Sequence, residues 1–247
     1  MSPRQLVPAG LLPIAAVVVL TVLTGGCNRG WPEQREVMVR EQVEGRGVRD
    51  PRVLAAMRAV PRHEFVAEAY RRQAYQDAAV PIGEGQTTPQ PYVVALMAES
   101  LEVEPGDRVL EVGTGSGYQA AVLAAMGAEV FTIEIRPRLC EHAARTLAEQ
   151  GYPSVHVRCG DGYEGWPEEA PFDGIVVTAA PENIPAPLFD QLGDGATLVI
   201  PVGTTIYQQL QVITRARDGF VARSTIPVHF GEIDRGGEGT ATGRDGP

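Results

Sequence analysis

Val109-Leu-Glu-Val-Gly-Thr-Gly-Ser-Gly-Tyr-Gln-Ala120 changes periodicity partway along. Residues 108–111 read as a short buried strand, with Val109 and Leu110 apolar and Val112 following. Gly113, Gly115 and Gly117 then break the pattern, and residues 118–126 resume it at helical spacing. A strand that runs through glycines into a helix lets a ligand approach the backbone and meet the N–H groups of the helix N-terminus. The spacing is Gly-x-Gly-x-Gly, whereas a pyrophosphate-binding dinucleotide turn reads Gly-x-Gly-x-x-Gly. The strand also ends in an acidic residue, Glu111, which would repel a pyrophosphate but could hold an ammonium group. Both details favour S-adenosylmethionine, with its ammonium, carboxylate and sulfonium, over a nicotinamide dinucleotide.

Downstream, strand and helix alternate. Residues 129–134 form a second strand ending in Glu134, 21 residues after Gly113, the distance at which an acidic residue meets a ribose diol. Residues 136–150 read as a helix stopped by Gly151, and 155–159 as a strand running into Gly160-Asp-Gly162. Strands follow at 172–178 and 196–201, with a short helix at 184–192 between them. Residues 208–214 and 220–230 alternate apolar and polar positions, as an antiparallel pair at a sheet edge would. The pattern predicts an α/β fold with a doubly wound, mostly parallel sheet and ligands at the carboxyl ends of its strands. Gly113–Gly117, Glu134 and Asp161 stand at three such ends.

Upstream of the central strand lies an N-terminal helical layer. Residues 34–43 and 51–60 carry helical spacing, and Asp50-Pro51 is a good helix start, with Asp as N-cap and Pro at the first helical position. Residues 61–75 continue the layer; His63 has no nearby histidine or cysteine with which to form a metal site. Residues 74–91, rich in Gly, Pro and Thr, have no period and read as a loop, a kind of segment that often carries function. An amphipathic helix over 92–101 and the turn Glu104-Pro-Gly-Asp107 lead into the central strand.

A chain of 247 residues can hold one large α/β domain with a full core. The net charge of −10 and the absence of any lysine leave no basic face for a nucleic acid. Residues 1–26 read as a targeting segment to be kept out of the fold. Arg4 precedes an apolar run over 9–23, and Leu23-Thr-Gly-Gly-Cys27 places two small residues before a cysteine, as in a bacterial lipoprotein signal. Residues 7–26 are also long enough to span a bilayer as an uncleaved anchor. With Cys27 lipidated, Cys140 and Cys159 are left, one on a helix and one at a strand end. Both read as small buried residues, and three cysteines do not make a disulfide framework. Residues 235–247, Gly-, Asp- and Arg-rich, read as a disordered tail.

Taken together, these motifs resemble the protein-L-isoaspartate O-methyltransferases. The match is carried by Ala74-Tyr-Gln-Asp77, Pro81-Ile-Gly-Glu-Gly-Gln-Thr87, residues 109–120, Gly160-Asp-Gly162, Pro171-Phe-Asp173 and Pro201-Val-Gly203, over roughly residues 35–230. The resemblance implies a Rossmann-like S-adenosylmethionine-dependent fold over 27–234, with helices and substrate loop in 27–106 and the core in 107–234. It implies methylation of L-isoaspartyl (and D-aspartyl) residues in damaged proteins or peptides, as a repair reaction; the chain is expected to act as a monomer. It also implies that Gly113, Thr114, Gly115, Ser116 and Gly117 surround the methionine moiety, that Glu134 takes the ribose, and that Asp161 and Gly162 lie beside the adenine. Two stretches depart from the family pattern. Thr87-Thr-Pro-Gln-Pro91 stands where the family reads Thr-Ile-Ser-x-Pro, so Pro89 takes the place of a serine commonly assigned to the active site, and Thr87 and Thr88 are the hydroxyls left nearby. Phe230-Gly-Glu-Ile233 replaces the family's Phe-Val-Pro-Leu. These departures keep open a same-fold methyltransferase with another acceptor, or a catalytically weak binding protein of the cell envelope. The lipoprotein reading places the domain in the periplasm on a lipid anchor, with membrane contact only through the N-terminus; the anchor reading allows an inner-membrane or cytoplasmic site.

Overall fold

The alternation read from the sequence folds as one continuous sheet with helices on both faces. The computed structural model describes residues 30–233; the targeting segment, Cys27 and the 235–247 tail lie outside them. Helix α1 (Trp31–Val37) runs on as a π-helical stretch to Val43, burying Met38, Val39 and Val43. Helix α2 (Pro51–Ala59) starts as expected, with the Asp50 carboxylate accepting the Arg52 N–H at 2.7 Å. Two short 3₁₀ turns, Arg62–Phe65 and Glu68–Gln73, then fill the stretch read as further helix.

Residues 74–91 are not the structureless loop expected from their composition. They contain a hairpin of β1 (Val80–Gly83) and β2 (Gln86–Thr88), antiparallel, with Val80 opposite Thr88. Glu84 and Gly85 turn it with φ of 51° and 72°, the paired positive values that suit a tight hairpin. Helix α3 (Pro91–Ser100) leads to β3 (Arg108–Val112), α4 (Tyr118–Ala125), β4 (Glu129–Glu134), α5 (Pro137–Glu149) and β5 (Val155–Cys159). Then come β6 (Phe172–Val177), the five-residue α6 (Ala186–Asp190), β7 (Leu192–Gly203), β8 (Gln208–Ala216) and β9 (Gly219–Val228).

The sheet has seven strands in the order β5-β4-β3-β6-β7-β8-β9. The first five are parallel, and β8 and β9 add an antiparallel hairpin beyond β7. The chain steps from β3 outward to β5, then returns to pair β6 on the other side of β3. That reversal opens a crevice at the carboxyl ends of β3 and β6, where ligands of open α/β sheets bind.

Alternation along each strand builds two cores. Val109, Val130, Val176 and Val199 face α4 and the N-terminal helices. Leu110, Phe131, Ile175 and Leu198 face the other side, where Leu188 of α6 packs. Each fully buried Leu or Ile contributes about 1.5–3 kcal/mol, so the sheet centre is the most rigid part available for holding a site.

The cysteine expectation is overturned. Cys140 and Cys159 form a disulfide, with Cα atoms 5.6 Å apart. Cys140 is buried and Cys159 exposed. Helix α5 packs back along β5 after a short turn at Gly151, which brings an early residue of the helix against the last residue of the strand.

Candidate functional site

A cleft opens at the carboxyl ends of β3, β4 and β6, about 800 Å³ of space counted out to its open mouth. Its floor is the glycine turn. The N–H groups of Gly113 and Thr114 both donate to the Ile133 carbonyl, at 2.8 and 3.2 Å, which ties the turn to β4. Gly113 has φ of 98°, and a Cβ there would collide with the Thr178 hydroxyl. That hydroxyl donates to the Gly113 carbonyl at 2.5 Å, locking the end of β6 to the turn. A Cβ on Gly115 would meet Ile82 of the hairpin at 3.1 Å, so the missed hairpin is what closes over the turn.

Glu111 lies at the bottom of this cleft and is wholly buried. One carboxylate oxygen accepts the Thr132 hydroxyl at 2.6 Å. Thr132, its proton so used, accepts from Thr114 at 2.6 Å. The other oxygen of Glu111 has no partner. Burial, with a smaller contribution from the charge of Glu134, pushes its pKa up to about 8. Gln119 adds a second unpaired group: it is buried, lines the cleft, and neither atom of its amide has a partner. Buried polar atoms left unpaired are costly, and here they collect where a zwitterion would satisfy them.

Glu134 turns its carboxylate into the same cleft. Its oxygens accept the N–H groups of Gly115 at 2.8 Å and Arg136 at 2.9 Å. A carboxylate has about four acceptor positions, so capacity for hydroxyls of a ligand remains. Gly162 lines the cleft too, and a Cβ there would meet Val112 at 2.6 Å. The group this donor set fits is S-adenosylmethionine: an acid and an amide for its amino-acid end, an acid for its ribose, and a glycine where a flat ring approaches.

Not every expected residue faces the ligand space. Gly117 is outside the lining; it caps α4 with φ of 86° and packs on Leu147, which a Cβ would meet at 3.1 Å. Asp161 is also outside it, accepting the Tyr163 N–H at 2.8 Å and so starting the turn that presents Gly162. Gly113, Thr114, Gly115, Ser116, Glu111, Glu134 and Gly162 do line it.

Thr87, Thr88 and Pro89, the residues expected on the acceptor side, form another wall of the cleft. Thr88 is buried, with its hydroxyl held by Arg62 at 3.3 Å, whereas Thr87 is exposed at the rim. Glu232 and Ile233 close the far wall. They are fixed by the Ala180 N–H donating to the Gly231 carbonyl at 2.8 Å and by a Thr205 hydroxyl donating to Glu232 at 2.6 Å. A second groove shares Thr87, Pro89 and Thr178 with the cleft and continues along Ile226 to Gly231.

Sequence reasoning missed Gln119, Arg62 and Thr178. Gln119 had a signal, being the one strongly polar residue in the otherwise apolar helix Tyr118–Ala125.

Comparisons with known proteins identify the family and the fold. The family model described as protein-L-isoaspartate(D-aspartate) O-methyltransferase matches residues 33–232. A protein-L-isoaspartate O-methyltransferase of Gloeobacter violaceus is 58% identical over 199 residues, covering 80% of this chain and 97% of that one. A solved protein-L-isoaspartate O-methyltransferase superposes with a TM-score of 0.73 at 28% identity, over 83% of this chain and 66% of its own. A Plasmodium falciparum structure in complex with S-adenosyl-L-homocysteine has the same fold, with a TM-score of 0.70 at 24% identity over 81% and 98% of the two chains.

Proposed function

The chain belongs to the protein-L-isoaspartate(D-aspartate) O-methyltransferase family, and from that premise we infer how its cleft works on damaged proteins. It is an S-adenosylmethionine-dependent enzyme that methylates isoaspartyl carboxylates, the first step of repair. When bound, the cofactor supplies a methyl group on a positively charged sulfur. Glu111 and Gln119 hold its amino-acid end, Glu134 its ribose hydroxyls, and Gly162 gives its adenine room. The unpaired oxygen of Glu111, buried in the cleft, is the observation that carries this assignment.

The acceptor needs little activation. A carboxyl group with a pKa of about 4 is ionised at neutral pH, so no general base is required. The chain's part is to hold that carboxylate in line and exclude water. The damaged peptide lies in the second groove, with Thr87 donating to its carboxylate at the rim. Pro89 offers neither a hydroxyl nor an N–H there. Losing such a donor costs about 1–3 kcal/mol, which slows a reaction without ending it.

The domain works as a monomer outside the inner membrane, tethered by lipid on Cys27. Leu23-Thr-Gly-Gly-Cys27 supports export, and so does the Cys140–Cys159 bridge, because disulfides persist in oxidising compartments. The activity is tested by methyl transfer to an isoaspartyl peptide. The wild type should methylate it and ignore the aspartyl isomer, and Pro89→Ser should raise the rate at nearly unchanged S-adenosylhomocysteine affinity. Cofactor binding without methylation in either protein would overturn the acceptor assignment.

A further inference from the structure

Arg62 stands behind the wall formed by Thr88 and Pro89, and the proposed reaction gives its charge no role. The side chain is fully buried, a condition arginine rarely accepts without an acidic partner. Among the described residues no carboxylate pairs with it. Its Nε donates to the Ala74 carbonyl at 2.8 Å. One terminal nitrogen reaches the Thr88 hydroxyl at 3.3 Å and the other the Pro89 carbonyl at 2.6 Å. Its guanidinium carbon lies 4.6 Å from the centre of the Tyr118 ring. Thr88, Pro89 and Tyr118 all line the cleft. One cation therefore touches three pieces of the wall from behind, and its charge has no carboxylate partner among the described residues.

We propose that Arg62 is the positioning residue for the acceptor, fixing Thr88 and Pro89 in place and reserving the site for an anion through its unpaired charge. This rests on the reading that an isoaspartyl carboxylate occupies the cleft. In the reaction the carboxylate oxygen bonds to the methyl carbon while the carbon–sulfur bond breaks and its electron pair stays on sulfur. A carboxylate and a sulfonium thus become a neutral ester and a thioether. The acceptor's negative charge fades in the transition state, so a fixed cation behind the wall favours the bound carboxylate over the transition state. Its charge should act on acceptor affinity rather than turnover. Its fork of hydrogen bonds, which sets where the wall sits, should act on turnover. The two roles are separable because lysine keeps the charge without the fork, and glutamine keeps donors without the charge.

The test uses the full chain in detergent, with Arg62→Gln and Arg62→Lys beside the wild type. S-adenosylhomocysteine, which lacks the sulfonium charge, reports the cofactor half alone. Arg62→Gln should raise the isoaspartyl peptide KM by about tenfold or more, as expected for a lost charge in a partly dry site, with S-adenosylhomocysteine affinity held within about twofold. Arg62→Lys should keep KM near the wild-type value and lose kcat. A second readout is competitive inhibition by the peptide whose free carboxylate is replaced by a carboxamide. The wild type should prefer carboxylate over carboxamide, and Arg62→Gln should lose that preference, which a purely structural residue would not change. If Arg62→Gln does not fold, the Arg62→Lys split and the wild-type preference still decide. An active wild type that binds carboxylate and carboxamide alike, or an Arg62→Gln with unchanged KM and preference, overturns the role of Arg62. A wild type without any methyl transfer overturns the acceptor reading, and the role falls with it.

Discussion

Glu111 changes its chemistry most when the cleft fills. Alone, its carboxyl titrates near pH 8, chiefly because burial disfavours the anion. At pH 7 it is therefore mostly protonated. An ammonium group brought against the unpaired oxygen favours the carboxylate, so ligand binding should expel the proton. Calorimetry of S-adenosylhomocysteine at pH 7, in buffers of differing ionisation enthalpy, should show release of up to about one proton. Glu111→Gln should abolish that release and weaken binding; a wild type that releases none would remove the ammonium from this site. The same shift has a sign for stability. Between the ordinary value of 4.5 and about 8 the folded chain keeps a proton that the unfolded chain has lost. This group therefore lowers stability as pH rises through that window, and its cost is complete above it. An acid near the end of the central strand could be read from the sequence, and so could its fitness for an ammonium. Its proton could not, because that depends on burial, which outweighs the anion-favouring hydroxyl of Thr132, and both need β4 laid beside β3. Arg62 left no trace in the sequence at all: its partners are a hydroxyl and two backbone carbonyls, set 12 to 27 positions away.

Among the elements, the sequence was clearest where segments were long and periodic, as in β3 through α5, and silent where pairing decides. The hairpin of β1 and β2 has strands of four and three residues, with Pro81 in one of them. Segments that short carry no usable alternation, so the stretch reads as loop until its partner strand is seen. The disulfide was hidden for a related reason, since Cys140 and Cys159 meet only through the turn between α5 and β5. Its position gives it a task. Cys159 ends β5, and the next N–H, from Gly160, donates to the Glu134 carbonyl at 2.9 Å. The bridge thus pins the segment that presents Gly162 to the cleft. Closing a loop of 19 residues should stabilise the fold by about 3 kcal/mol in the chain-entropy account, or roughly 10 °C in Tm for a domain of this size. Thermal unfolding with and without dithiothreitol checks this. The wild type should lose that margin on reduction, while a Cys140→Ser, Cys159→Ser double variant should sit at the lower Tm in both conditions. Equal melting of all samples would mean that the bridge adds nothing.

At the scale of the whole molecule, the fold class followed from alternation alone, and the antiparallel edge from the period-two pattern of β8 and β9. What alternation could not give was the docking of the N-terminal layer onto the α4 face, which completes the acceptor half of the cleft. Two features bear on where that molecule resides: Gly25-Gly26-Cys27 closing an apolar run, and a disulfide with one exposed sulfur-bearing residue, Cys159. The proposed lipid anchor rests on the first, and the proposed oxidising compartment on the second. Among the described residues no helix is long and apolar enough to cross a membrane. S-adenosylmethionine is made in the cytosol, so an exported enzyme needs imported cofactor, and the location decides how the cleft is filled. Fatty-acid labelling of the wild type beside Cys27→Ala, with protease added to spheroplasts, separates the cases. For a lipoprotein the wild type should carry label, the variant should lose it, and protease should reach the folded domain. The bridge should also form in the wild type in cells, as thiol alkylation before and after reduction would report. An unlabelled, full-length, protease-protected chain with free Cys140 and Cys159 would instead put the cleft in the cytosol, beside its source of methyl groups.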